Sequence, residues 1–185
     1  MNILNPNRQG SISWMMACLA LPEDGVRVAY PDELSCTRRL AEVRWPKGVR
    51  CIRCESSDIS FLKLRKLYHC RNCRTQFSVT SGTIAHRSHL ELRMWFIAAE
   101  DIITAYARST AAAWLTGHGL AEKYAISYAA AYRLKKQLLD DLSNPSGLIG
   151  PSICVRNVPL PPNAESSETY LNAWLIEQMM TMRRR

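Results

Sequence analysis

The sequence lacks any run of the ~18 uninterrupted apolar residues that a membrane-spanning helix requires. Its longest apolar stretch, from Trp95 to Leu115, is interrupted by Glu100, Asp101 and Arg108. It also lacks internal repeats at the periods of solenoid proteins and an evident secretory signal. We therefore expect neither a membrane protein nor a repeat array nor an exported chain.

The sequence also lacks an even number of cysteines, because it contains seven. An odd number argues against the fully paired disulfide framework of a small secreted protein. No βαβ pattern surrounds either CxxC pair, so a thioredoxin-like redox site is not expected. We expect reduced thiols and a cytoplasmic protein, associated with the nucleoid where DNA is bound. Cys18, Cys36 and Cys154 are interpreted as ordinary core or surface thiols.

The other four cysteines form two CxxC pairs, Cys51 with Cys54 and Cys70 with Cys73, and 15 residues separate the pairs. This spacing is typical of a zinc ribbon, in which two tight turns direct four thiolates at one metal. Four thiolates leave no open position for water, so we predict one structural Zn²⁺. His69 could replace Cys70 as a ligand, but the symmetry of the two turns favours the cysteines.

Acidic residues are scarce around these cysteines. The chain has a formal net charge of +8 and a pI near 9.3, and nine lysines and arginines lie between Val43 and Arg74. Only Glu55 and Asp58 oppose them. This density indicates an anionic partner, with nucleic acid first, although a solvated ribbon surface would have the same appearance.

The order of patterns predicts an α+β protein in which a small four-cysteine zinc ribbon precedes a mainly α-helical, helix-turn-helix-like part. We divide the chain into a lead-in, 1–30; a short helix and zinc ribbon, 31–87; a helical part, 88–142; a Pro- and Gly-rich linker, 143–167; and an amphipathic helix with a basic tail, 168–185.

Within these parts the pattern predicts individual elements. A short helix should end at Pro46, and strands should lie at Leu62–Arg65 and at 76–80. A capping box, Ser88–Glu91, should begin the next helix. A second helix should cover Ser109 to about Leu115 or continue to Tyr124, and a third should begin after Ser127 and reach about Leu142.

The third helix has two different faces. Apolar residues recur every four positions at Ile126, Ala130, Leu134, Leu138 and Leu142. The opposite side carries Ala129, Tyr132, Arg133, Lys135 and Lys136. A basic outer face on the last of three helices is typical of a helix-turn-helix, although any three-helix bundle has a polar outer face.

These residues resemble the front end of bacterial insertion-sequence (DDE-type) transposases, which begin with a zinc ribbon and a helix-turn-helix. The resemblance covers about residues 30–142. It is carried by Tyr30–Glu33, Arg44–Val49, the two CxxC pairs, Tyr68–Thr83, Leu90–Phe96 and Ile126–Leu134.

The resemblance implies that an RNase H-like catalytic domain with three carboxylates should follow the helices. Only 43 residues follow Leu142, and none between Ser143 and Pro162 is acidic. The later Glu165, Glu168 and Glu177 lie on the linker and a predicted helix, where they cannot form a two-metal site. We therefore expect no enzyme activity, and an active nuclease is the least favoured interpretation.

The leading hypothesis is a zinc-dependent, non-catalytic protein, derived from or truncated from such a transposase. It would bind double-stranded DNA at transposon ends or in transcriptional regulation. Tyr132, Arg133 and Lys136 are candidates for base edges. Phosphate contacts are assigned to Lys47, Arg50, Arg53, Lys63, Arg65, Lys66, Arg71, Arg74 and Arg87.

The alternative is a zinc-ribbon adaptor that regulates a partner, such as an intact transposase or a transcription factor. In that case the C-terminal helix, 168–182, would offer an apolar face for a partner or for dimerisation. RNA is a further candidate ligand, because basic ribbons bind both nucleic acids.

Overall fold

The computed structural model describes residues 10–108, 115–162, 164 and 167–182. The fold is α+β, as predicted, with an antiparallel sheet in the order β1-β2-β3. No described helix is long and apolar enough to cross a membrane. The elements are α1 Gly10–Leu19, α2 Val26–Ala29, α3 Glu33–Arg44, β1 Ile59–Leu62, β2 Leu67–Cys70, β3 Gln76–Phe77, α4 Leu92–Ala107, α5 Gly117–Tyr124, α6 Tyr128–Ser143, α7 Ile149–Ile153 and α8 Glu168–Met182.

Helix α4 lies at the centre of the helical body. Trp95, Phe96 and Ile103 form an apolar stripe at helical spacing, and all three are buried. Ile97 and Ile102 lie off that stripe and are buried too, because helices α1, α3, α6 and α7 surround α4. Burial on nearly every side makes α4 the main stabilising element of the body.

The start of α4 differs from the prediction. The helix begins at Leu92, and Ser88 accepts a hydrogen bond from Leu90 rather than capping the helix. The two carboxylate oxygens of Glu33, at the start of α3, accept from the backbone N–H groups of Leu92 and Arg93 at 2.9 and 2.8 Å. The predicted capping box is therefore wrong, since a residue distant in sequence satisfies these groups.

The ribbon sheet also differs from the prediction in the position of its first strand. The first strand ends at Leu62, and a 3-10 turn over Lys63–Arg65 reverses the chain, with Lys66 in the left-handed region at φ 52°. The strand predicted at Leu62–Arg65 is therefore wrong except for its first residue. The return strand β2 pairs with both β1 and β3, so the ribbon has three strands.

The order of elements after α4 is that of a helix-turn-helix. Helix α5 is followed by a three-residue turn with Ala125 in the left-handed region, and α6 begins after Ser127. Ser127 Oγ accepts from the N–H of Ala130, which confirms the predicted N-cap. The alternative second helix over 109–115 falls largely on residues 109–114, outside the described part of the chain.

The two segments predicted as lead-in and linker contain further helices. Helix α1 packs along α4, and α7 packs against α3, α4 and α6. The C-terminal helix α8 packs on α1 through its buried Leu171 and Leu175. The division of the chain into five parts stays a prediction, and the basic tail, 183–185, lies outside the described residues.

Candidate metal centre and nucleic-acid interface

The two CxxC turns have the same backbone plan. The N–H of Cys51 donates to the carbonyl of Ser56, and the N–H of Cys70 donates to that of Thr75, both at 2.9 Å. The residue after each second cysteine is left-handed, with φ 58° at Glu55 and 60° at Arg74. This repeated geometry directs each pair of sulfur atoms toward the other pair.

The four sulfur atoms lie in one cluster. The Sγ atoms of Cys51 and Cys73 are 3.5 Å apart, those of Cys54 and Cys70 are 3.6 Å apart, and all four lie within 4.8 Å of one another. Tetrahedral zinc with bonds of about 2.3 Å requires sulfur atoms about 3.8 Å apart. The cluster therefore fits one structural Zn²⁺, as predicted, and His69 is not part of it.

Metal-free, these thiols differ in acidity. Hydrogen bonding with the hydroxyl and the N–H of Thr75 lowers the pKa of Cys73 to about 6. At Cys54 a backbone hydrogen bond from Ser56 lowers the pKa, but the neighbouring thiols and burial together raise it to about 11. Crowded sulfur atoms thus resist full ionisation, and a divalent cation allows all four to be thiolates at once.

The left-handed residue of the first turn gives a stability prediction. Replacing Glu55 with glycine removes the steric cost of that backbone conformation, so the folded ribbon should gain about 0.5–1 kcal/mol. Because folding and zinc binding are coupled, a chelator competition should show tighter zinc binding. Glu55→Ala removes the same charge but keeps the strain, and an equal gain in that control would contradict the explanation.

All of the predicted DNA-contacting side chains on the ribbon are exposed, as is Arg87 in the loop before α4. In the described part of the chain, Arg71 is the one ribbon cation with an ion-pair partner, Asp58 at 3.5 Å. Lys63, Arg65 and Lys66 stand together at the hairpin turn. The exposed cations make this turn the most concentrated positive surface of the ribbon.

Helix α6 presents the predicted outer face. Leu134, Leu138 and Leu142 are buried, whereas Tyr132 is 55% exposed. Arg133 and Lys136 are also exposed. Lys135 differs, because its ammonium group donates to the carbonyl of Leu115 at 2.6 Å and so helps to hold the segment before α5.

Arg87 lies close to this helix. A cleft of about 390 Å³ separates the loop that holds Arg87 from the first turns of α6, and Arg133 lines its other side. The loop and the helix are far apart in sequence, so no sequence pattern predicted that they would lie close together. Both arginine side chains therefore border the same cleft.

Two exposed aromatic residues, one on α6 and one on the ribbon, were not predicted as site residues. Tyr128, 50% exposed at the start of α6, contacts the His118 ring at 4.5 Å and lies against Gly117, where an added Cβ would be 2.8 Å from the Tyr128 ring. Phe61, on the ribbon, is 52% exposed. The sequence could have indicated Tyr128, because it is an aromatic residue at the first position of the helix that also carries Tyr132.

Comparisons with known proteins agree with this geometry. Residues 31–76 match the family described as the transposase zinc-ribbon domain. An uncharacterised protein in transposable element ISH50 of Halobacterium salinarum is 26% identical over 119 residues, which cover 63% of this chain and 38% of the relative. No solved structure matches significantly. The resemblance seen in the sequence is confirmed at residues 31–76, which match a transposase-type zinc ribbon.

Proposed function

We propose that the protein binds double-stranded DNA through two surfaces, the ribbon hairpin and the outer face of α6, and performs no strand chemistry. The observation that carries the proposal is the exposure of the predicted contact residues on both surfaces. Exposed lysine and arginine side chains bind phosphates by releasing counterions, so this binding should depend strongly on salt.

The two surfaces have different tasks. The exposed cations of the ribbon turn around Arg65 would contact phosphates, whose negative charge attracts them whatever the base sequence. Helix α6 begins at a capped N-terminus and exposes Tyr132, Arg133 and Lys136, which can reach base edges in a major groove. Arg87, across the cleft from Arg133, would hold an adjacent phosphate.

The ribbon contribution has a direct test. Combined Arg65→Ala and Lys66→Ala should weaken binding to mixed-sequence duplexes about tenfold, and should reduce the slope of log affinity against log salt by about 1.8. Fluorescence anisotropy over a salt titration measures both quantities.

The charge-matched control combines Arg27→Ala and Arg38→Ala, two exposed residues of α2 and α3. It should leave the slope unchanged. Unchanged binding in the Arg65 and Lys66 variant would contradict the ribbon assignment, and metal-dependent strand cleavage by the purified protein would contradict the non-catalytic role.

A protein-interaction adaptor is the second candidate function. Helix α8 favours it, because Tyr170, Ile176 and Met180 are each more than 40% exposed on a helix that is otherwise docked on the body. Such apolar side chains suit a partner helix or groove. Absence of any DNA affinity at low salt would leave this function standing in place of the first.

A further inference from the structure

Three aromatic rings form a row across the ribbon sheet. Phe61 of β1 lies directly opposite Tyr68 of β2, which lies directly opposite Phe77 of β3. Directly opposed residues share one face of a sheet, and the ring centroids are 5.1 and 5.5 Å apart along the row. Phe77 is buried, Tyr68 is half-buried and Phe61 is exposed, so the row leads from the core to the surface.

The inner end of this row is held firmly. Trp45 meets Tyr68 edge to face at 5.4 Å and Phe77 at 6.0 Å. The guanidinium of Arg44 lies 4.6 Å from the Trp45 ring centre and donates to the carbonyl of Val79 at 2.6 Å. The exposed ring of Phe61 therefore rests on a rigid support and needs little ordering when a ligand binds.

A cleft opens beside the exposed end of the row. It has a volume of about 370 Å³, and Phe61 and Tyr68 form one wall. Lys47 and Arg50, both exposed, line it from the segment before the first CxxC pair. None of its described lining residues is acidic, so the cleft combines aromatic surface with unopposed positive charge.

We propose that this cleft binds an unpaired base of single-stranded DNA, stacked on Phe61, with Lys47 and Arg50 on the flanking phosphates. An aromatic ring among cations is the arrangement by which proteins hold single strands, because every base has a π-face and every linkage a negative charge. Half of Phe61 faces solvent, so its ring is available for stacking against a base.

This inference deepens the proposed function and rests on it. Duplex binding by the hairpin turn and α6 needs no unpaired base. A stacking site on the same ribbon adds the capacity to hold a strand that is frayed or opened beside the duplex. The protein would then engage both the paired and the unpaired parts of a DNA end.

The test compares three forms of the zinc-loaded full chain: wild type, Phe61→Leu and Phe61→Trp. Leucine keeps apolar bulk and removes the ring, so affinity for a short oligothymidylate should fall about tenfold in anisotropy measurements. Tryptophan supplies a larger stacking surface and should keep or improve that affinity. Binding to a blunt mixed-sequence duplex should be the same in all three forms.

The matched control is Ile52→Ala, another exposed apolar side chain of the ribbon that does not line the cleft. It should not change oligothymidylate binding, and one zinc per chain should be retained in every variant. Equal oligothymidylate affinity in wild type and Phe61→Leu would overturn the proposal. So would an equal loss on duplex and single strand, or tighter binding to oligouridylate than to oligothymidylate.

The two proposals fail differently. Wild-type protein that binds duplex but not oligothymidylate would overturn the stacking site and leave the duplex function intact. Wild-type protein that binds neither would overturn the proposed function, and the stacking site with it.

Discussion

Replacing Cys51 or Cys73 with serine is expected to abolish stoichiometric zinc binding and to unfold residues 43–80. The buried core of the ribbon consists of Cys51, Cys70 and Phe77, so two of its three members are metal ligands. Such a small core does not fold unaided, and zinc binding contributes about 10–16 kcal/mol in comparable peptides. Removing one thiolate should therefore remove both the metal and the fold of the ribbon.

The helical body should survive this change. Its core around α4 is formed mostly by helices that need no metal, and the half-buried Trp45 and Tyr68 link it to the core of the ribbon. Elemental analysis should report no zinc, limited proteolysis should cleave within 43–80, and far-ultraviolet circular dichroism should keep most of the helical signal. Cys154→Ser, outside the cluster, is the control and should retain one zinc; one tightly bound zinc in both ligand variants would refute the four-cysteine site.

Asp141→Ala is expected to destabilise the helical body by about 3 kcal/mol. Asp141, near the end of α6, is 9% exposed, and its two carboxylate oxygens accept from the N–H groups of Leu148 at 3.1 Å and Ile149 at 2.9 Å. Alanine would leave these donors without acceptors in a buried place, at about 1–3 kcal/mol each. The carboxylate also fixes the turn in which an added Cβ on Gly147 would lie 2.0 Å from the Asp141 carbonyl oxygen.

Urea unfolding of the zinc-loaded protein measures this loss, and the exposed neighbour Asp140→Ala is the control, expected within about 0.5 kcal/mol of wild type. Asp141→Asn should fall between the two, because an amide oxygen replaces only one of the two acceptors. A loss in Asp141→Ala no larger than in the control would mean that water replaces the carboxylate.

Burial raises the pKa of Asp141, although its backbone hydrogen bonds act in the opposite direction. The folded protein therefore keeps this proton to a higher pH than the unfolded chain does. Between the pKa of Asp141 in the unfolded chain and its higher pKa in the folded protein, its contribution to the free energy of unfolding therefore falls as the pH rises. Above the folded pKa this contribution is constant. Asp141→Asn should lack this part of the pH dependence.

Local signals in the sequence were sufficient for the zinc ligands and for several helices. The four cysteines act within two short turns, so spacing alone identified them. Ser127 as the N-cap of α6 also depends on residues within one helical turn. The structure agrees with the prediction in these places because neighbouring residues determine the conformation.

Local sequence signals could not predict contacts between residues that are distant in the sequence. Glu33 caps α4 from almost 60 positions away, and no local pattern indicates it. The hairpin register depended on where the chain reverses, and Lys66 adopts the left-handed region without being glycine or asparagine. Because the predicted strand was placed too late, the pairing of Phe61 with Tyr68 could not be foreseen, and the aromatic row went unnoticed.

The Glu33 cap has a consequence for how this architecture could evolve. The ribbon lies between Arg44, where α3 ends, and Leu92, where α4 begins. The N–H of Leu92 donates to Glu33, and Arg44 donates to the carbonyl of Val79, so the two ends of this segment are held close together. The entropy of closing such a loop grows only with the logarithm of its length. The position between α3 and α4 is therefore one where a longer, shorter or different module could replace the ribbon while the helices around it keep their fold.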